Sequence, residues 1–99
     1  MKYCVDIDNT ICVTHNGDYS SSEPLQKRID YINTLYNNGH TIIYFTARGS
    51  RSGIDYYNLT KQQLDNWGCL YHDLVLGKPD CDIFIDDKAI NSRDFFNGK

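Results

Sequence analysis

Glutamate is nearly missing from this chain: Glu23 stands alone beside twelve aspartates. Glutamate is the better helix former on a solvated face, so acid supplied almost wholly as aspartate points to loops, caps or a site. The ten basic residues form no stripe, and the net charge is −3. A polynucleotide held through its phosphates is therefore disfavoured. No apolar run is long enough to span a membrane, and no leader-like segment precedes the first apolar residues. The expectation is a cytoplasmic protein with no membrane partner. The four cysteines, Cys4, Cys12, Cys69 and Cys81, include no Cys-x-x-Cys pair. Zinc is thereby disfavoured, and free thiols in a reducing compartment are expected. With no repeat, linker or low-complexity tract, 99 residues at 40% hydrophobic content make a single domain with one core.

What is present starts at residue 2. The apolar run from Tyr3 ends in Asp6 and Asp8, followed by Asn9-Thr10. Such a run reads as a buried strand, and its period of two puts Asp6 and Asp8 on one side if the strand continues that far. Two carboxylates leaving a core strand are unfavourable unless a cation or a substrate uses them. The plain alternative is that Asp8-Asn9 merely opens a turn. Residues 11–22 are polar and centred on Asn16-Gly17, a hairpin signal. They read as a small flap beside the strand's end, with His15 at its tip either near substrate or simply solvated.

Glu23-Pro24 is expected to begin a helix, with proline in the first turn. Leu25, Ile29, Ile32, Leu35 and Tyr36 recur at helical spacing up to Gly39. Thr41–Thr46 reads as a second buried strand, followed by Ala47, Arg48 and Arg51 in a glycine-bearing loop suited to an anion. Thr60-Lys61-Gln62-Gln63 has the form of a capping box for a second helix ending at Trp67-Gly68, with Leu59 and Leu64 as its staple, and Ile54 and Tyr57 are candidates to extend it backwards by a turn. Residues 73–76 are a short strand candidate, followed by Gly77-Lys78-Pro79. Asp82-Ile83-Phe84-Ile85-Asp86-Asp87 is a third clear strand, ending in a second pair of carboxylates. A short last helix over 88–98 would pack Phe95 and Phe96 on the sheet or on another subunit. His40 and His72 flank strands as surface or capping residues.

Strand, helix, strand, helix, strand marks an α/β fold with a mainly parallel sheet. Ligands sit at the carboxyl ends of such strands, where Asp6 with Asp8, Thr46, and Asp86 with Asp87 all fall. Two carboxylates about 4 Å apart repel by about 4 kcal/mol at an effective dielectric near 20. Several together weigh heavily on a domain stability of ~5–15 kcal/mol. A hard divalent cation relieves this, and oxygen ligands alone point to Mg2+. Magnesium beside lysine, arginine and a hydroxyl suits a phosphoryl group.

Asp6-Ile-Asp8-Asn-Thr10, the strand ending in Thr46, Lys78, and Asp86-Asp87 resemble, in order, the four motifs of the haloacid dehalogenase (HAD) superfamily. The resemblance spans essentially the whole chain. More loosely, Tyr-Phe-Thr46-Ala-Arg48-Gly and Gly77-Lys78-Pro look like small capless phosphatases among bacterial capsule and sugar-biosynthesis proteins. It implies a Rossmann-like three-layer domain over 1–99, with the first strand central and no cap. It also implies Asp6 as the nucleophile forming an aspartyl-phosphate and Asp8 as general acid and then base. Asp6, the backbone carbonyl of Asp8, and Asp86 would surround Mg2+, with Asp87 a direct or water-mediated ligand. Thr46, Ala47, Arg48 and Lys78 would bind phosphate. An acid at position 8 separates phosphatases and mutases from dehalogenases and ion pumps, and a mutase would need a lid that the chain lacks.

One departure stands out. Only Pro79 to Ile85 separates Lys78 from the acidic pair, whereas a parallel crossover takes a dozen or more residues. Either residues 73–76 are not a regular parallel strand, or Lys78 sits differently and Lys88 replaces it. The expected function is a Mg2+-dependent phosphomonoesterase acting on a small sugar- or polyol-like phosphate. A nucleotide or nucleic-acid-end phosphatase and a non-catalytic metal- or phosphate-binding module are the alternatives. With no cap, the flap shapes the pocket, alone or with a neighbouring subunit of a homo-oligomer.

Overall fold

The computed structural model describes residues 1–77, 81–87 and 95–97. In the first strand, β1 (Lys2–Asp6), Cys4 and Val5 are both wholly buried. Neighbours along a strand point to opposite faces, so two consecutive sealed side chains mean that both faces of β1 are covered. After β1 the chain makes a short strand β2 (Cys12–Val13) and a single 3-10 turn at Tyr19–Ser21. A second short strand, β3 (Glu23–Pro24), pairs antiparallel with β2. This is the flap. At its tip Asn16 and Gly17 have φ of 54° and 71°, and Asp18 N–H closes the turn on His15 O at 3.0 Å. Successive positive φ values are what a primed turn demands and what Asn-Gly supplies most easily.

Glu23-Pro24 is thus strand, not the first helical turn. Proline lacks an N–H, which an edge position tolerates as well as a helix start does. The helix α1 (Gln26–Asn37) begins two residues later, where Leu25 N–H bonds Ile11 O at 2.8 Å. It buries Ile29 and Ile32 and ends before Gly39, whose φ of 92° and bonds to the preceding turn close it.

The strand β4 (Thr41–Thr46) runs parallel to β1, with Lys2 opposite Thr41 and Asp6 opposite Phe45. The helix α2 (Tyr57–Asn66) follows, its first N–H bonded to the Asp55 carboxylate at 2.9 Å. Thr60 therefore lies inside the helix, with its own N–H on Tyr56 O, and is not the cap that the sequence suggested. The strand β5 (Asp73–Leu76) is a regular parallel strand on the outer edge of β4, and β6 (Ile83–Ile85) pairs parallel with the other edge of β1. The first of the two alternatives for the short crossover is removed: residues 73–76 are a parallel strand. Asp82 locks the far side, accepting Lys2 N–H on its carboxylate at 2.8 Å and donating its own N–H to Lys2 O at 3.1 Å.

The sheet order is β5-β4-β1-β6, all parallel with β1 internal, a small Rossmann-like α/β domain as expected. Val5, Ile42, Tyr44 and Leu74 face Ile29 and Ile32 of α1 and Leu64 of α2, so both helices cover one face. Cys4, Ile43 and Phe45 point the other way, with Val75, Phe84 and Cys81. Cys4 and Cys81 are joined as a disulfide on that second face, while Cys12 and Cys69 are free and buried. That corrects the expectation of four free thiols. Pairing of β6 with β1 brings together residues 77 apart in sequence, which spacing alone does not reveal. The helix expected over 88–98 falls largely on 88–94 and 98, outside the described residues. Phe95 and Phe96 are exposed and meet edge-on at 5.0 Å. Among the described residues no helix is long and apolar enough to cross a membrane.

Candidate active site

The carboxyl ends of β1, β4, β5 and β6 open on a cavity of about 820 Å3. Asp6 closes β1, and its Oδ1 accepts the N–H of Ile7 at 2.9 Å. The strand stops there. Ile7 O accepts both Thr10 and Ile11 N–H, and Asn9 takes φ of 63°. Asp8 is thereby carried off the strand into a tight turn, so the turn and not strand periodicity is what brings it to the same cavity as Asp6. The turn reading holds for this segment, and Asp6 and Asp8 both line the cavity.

Asp86 and Asp87 leave β6, next to β1. One carboxylate oxygen from each of Asp6, Asp86 and Asp87 lies within 4.8 Å of the others. Three strand-end carboxylates with hard oxygen donors and a rim open to water suit a divalent cation such as Mg2+. The Asp6 carboxyl is raised to about 7 in all, with burial as the main cause. The Ile7 N–H pulls it down, while the negative charges of Asp86, Asp8 and Asp87 push it further up. A carboxyl held near neutrality by burial and like charge is a functional-site signature. The Asp8 carboxylate is not in this cluster, which leaves its backbone carbonyl as the atom the sequence resemblance implies for a metal.

The anion-binding expectations separate. Ala47 lines the cavity beside Gly49, Ser50 and Arg51. Gly49 has φ of 82°, and a Cβ there would collide with the Ile54 carbonyl, so the loop can close this tightly only with glycine. Thr46 is 1% exposed, and its hydroxyl accepts the Arg48 backbone N–H at 3.1 Å rather than reaching the cavity. Lys78 and Lys88 lie outside the described residues. His15 is exposed and is not part of the cavity wall. His72 Nδ1 accepts Ile42 N–H at 3.1 Å, as a strand-flanking cap would.

Arg48 departs most from expectation. It touches the cavity, yet its side chain is 0% exposed and turned onto protein groups. Nη2 and Nε hold the Asp8 carboxylate at 2.8–3.2 Å, and Nη1 donates to Thr60 Oγ1 at 3.1 Å and Gln63 Oε1 at 2.6 Å. Its guanidinium carbon lies 4.7 Å from the centre of the Tyr19 ring. With Nη2 also directed at Ser22 Oγ, 3.4 Å away, the five donors of the arginine are engaged by the protein. Thr14, Tyr19 and Ser22 belong to the flap expected to shape the pocket, whereas Thr60 and Gln63 of α2 carry no such expectation from the sequence. One signal was available: Thr60 and Gln63 share a helical face with Leu64, and polar residues on a core stripe need a buried partner.

No protein-family model matches the chain, and no curated protein does. The chain is similar to a crystal structure of a target protein from Vibrio cholerae, 27% identical, with a TM-score of 0.71 over 96% of this chain and 87% of that one.

Proposed function

We propose that this chain is a phosphomonoesterase of the HAD type, dependent on Mg2+ and acting on a small phosphorylated metabolite. One observation carries the reading: Asp6, Asp86 and Asp87 converge at the ends of two neighbouring parallel strands, while Asp8 stands apart on an arginine. That is a cation site beside a separate acid, the pair of functions that phosphate-ester hydrolysis needs.

Asp6, Asp86, Asp87 and the Asp8 carbonyl are the groups that would hold the cation. When bound, the cation offsets their charge and keeps Asp6 ionised. In the proposed sequence an Asp6 carboxylate oxygen attacks phosphorus, and the bond from phosphorus to the substrate oxygen breaks. Asp8 gives its proton to that departing oxygen, which leaves as the alcohol. Asp8 then takes a proton from water as the water attacks the phosphorus of the Asp6 acyl phosphate, releasing inorganic phosphate and restoring Asp6. Ala47 and its loop form the wall facing this chemistry. Tyr19 and Tyr56, edge-on at 4.9 Å, line the open side with Ser50 and Ser52, beside the charged Arg51, and their aromatic faces and hydroxyls suit a sugar- or polyol-like leaving group.

The test is hydrolysis of a generic phosphomonoester by the wild type and by Asp6→Asn, with Mg2+ and with chelator. The wild type should turn over only with metal and the variant not at all. Turnover undiminished in Asp6→Asn sinks the assignment. A cytoplasmic setting belongs to the same reading, and trapping of thiols by alkylation in the native cell should then find Cys4 and Cys81 reduced.

A further inference from the structure

We propose that Arg48 is a positioning residue that turns Asp8 so that Oδ2 alone faces the reacting group, a step that rests on the function proposed above. The two oxygens of Asp8 are not equivalent. Oδ1 receives Arg48 Nη2 at 2.8 Å, Arg48 Nε at 3.2 Å and Thr14 Oγ1 at 2.7 Å, with the Cys12 thiol at 3.8 Å. Oδ2 receives only the shared Nε at 3.0 Å. The lone pairs of Oδ1 are taken up by these donors, whereas Oδ2 keeps one unoccupied on the side away from the guanidinium.

Arg48 can impose this because it is itself fixed from three directions. Its backbone N–H is on Thr46 at the end of β4, and Nη1 is on Thr60 and Gln63 of α2. Nη2 also approaches Ser22 Oγ of the flap at 3.4 Å, and Tyr19 lies against its plane. Ser22 in turn meets Thr14 Oγ1 at 2.6 Å, which leaves the Thr14 proton for Asp8. Gln63 Nε2 donates to Tyr19 O at 2.5 Å. The flap, α2 and the acid form one connected network. The planar fork of arginine fits this bidentate hold, and lysine, a single ammonium on a flexible stem, does not reproduce it.

Leaving-group chemistry separates positioning from mere support. An alkyl phosphate needs a proton on its departing oxygen, whereas dinitrophenyl phosphate releases a stable anion without one. The comparison uses kcat/KM, which ends at the first irreversible step and so excludes the water-attack step common to both substrates. In Arg48→Gln, kcat/KM for the alkyl ester should fall by about a hundredfold, within the usual contribution of a general acid, while that for the dinitrophenyl ester changes by less than about threefold. Slowed water attack should also appear as a burst of dinitrophenolate stoichiometric with enzyme. Thr14→Val removes one Oδ1 donor without leaving a buried charge unpaired. It should show the same pattern at smaller amplitude, and it decides the matter if Arg48→Gln does not fold. Equal losses on both esters, without a burst, overturn the positioning role while leaving the phosphatase reading intact. A wild type inactive on both esters defeats that reading and this one with it.

Discussion

Asp6 is expected to destabilise the metal-free protein at neutral pH, and Asp6→Asn should therefore stabilise it while abolishing turnover. In the fold its carboxyl rises from 3.8 to about 7, chiefly through burial and then through the charges of Asp86, Asp8 and Asp87. The unfolded chain loses this proton first as pH rises. The contribution of Asp6 to stability is therefore fully present below 3.8 and is lost as pH rises through about 7. At about 1.4 kcal/mol per pH unit the upper bound is ~4 kcal/mol. Asp6 is only half-buried, so solvent screening reduces this to ~1–2 kcal/mol. The amide of asparagine keeps the shape and can still accept the Ile7 N–H. Thermal unfolding in chelator should thus place Asp6→Asn about 5–10 °C above wild type at pH 8, for a domain of this size. The gap should close towards pH 4. Added Mg2+ should reverse the order, raising wild type by ~2–3 kcal/mol at a hundredfold excess over its dissociation constant and leaving the variant nearly unmoved. If the variant unfolds below wild type at pH 8 in chelator, the strand-end carboxylates are not in conflict and the reasoning about the cluster fails.

Gln63→Leu removes the nearest acceptor of a fully buried guanidinium, 2.6 Å away, and should lower stability by ~2–3 kcal/mol in urea unfolding, since the donor is left unmet. Gly49→Ala places a methyl against the Ile54 carbonyl at a φ of 82°. It should cost ~1–3 kcal/mol and disturb the cavity wall enough to raise KM. A Tm unchanged from wild type would show that the loop can rearrange. Tyr44 Oη is buried without a hydrogen-bond partner among the described residues, with the Cys69 thiol as its polar neighbour. Tyr44→Phe should then be neutral or stabilising by up to ~1 kcal/mol, and a loss beyond that in denaturant melts would reveal a partner.

Local pattern was enough for the strands. Thr41–Thr46 and Asp73–Leu76 are bounded as their apolar, β-branched runs suggest, because burial on a sheet demands those residues whatever their neighbours. The same holds for the convergence of Asp6 with Asp86 and Asp87, since parallel strands share a carboxyl edge once the sheet is known to be parallel. Local pattern misled where two structures share one signature. Glu23-Pro24 suits an edge strand as well as a helix start, and the partner strand Cys12–Val13 settled it. Thr60 and Gln63 imitate a capping box, yet they sit within α2 and hold Arg48. Arg48 itself shows the limit most sharply. Its place after a strand end marks it as near the site, but a guanidinium in a loop can meet a ligand or the protein. Only the packing of the flap and α2 around it, from residues as far apart as Thr14 and Gln63, turned its donors inward. Hydrogen-bond partners distant in sequence are chosen by the folded arrangement, and no local periodicity encodes them.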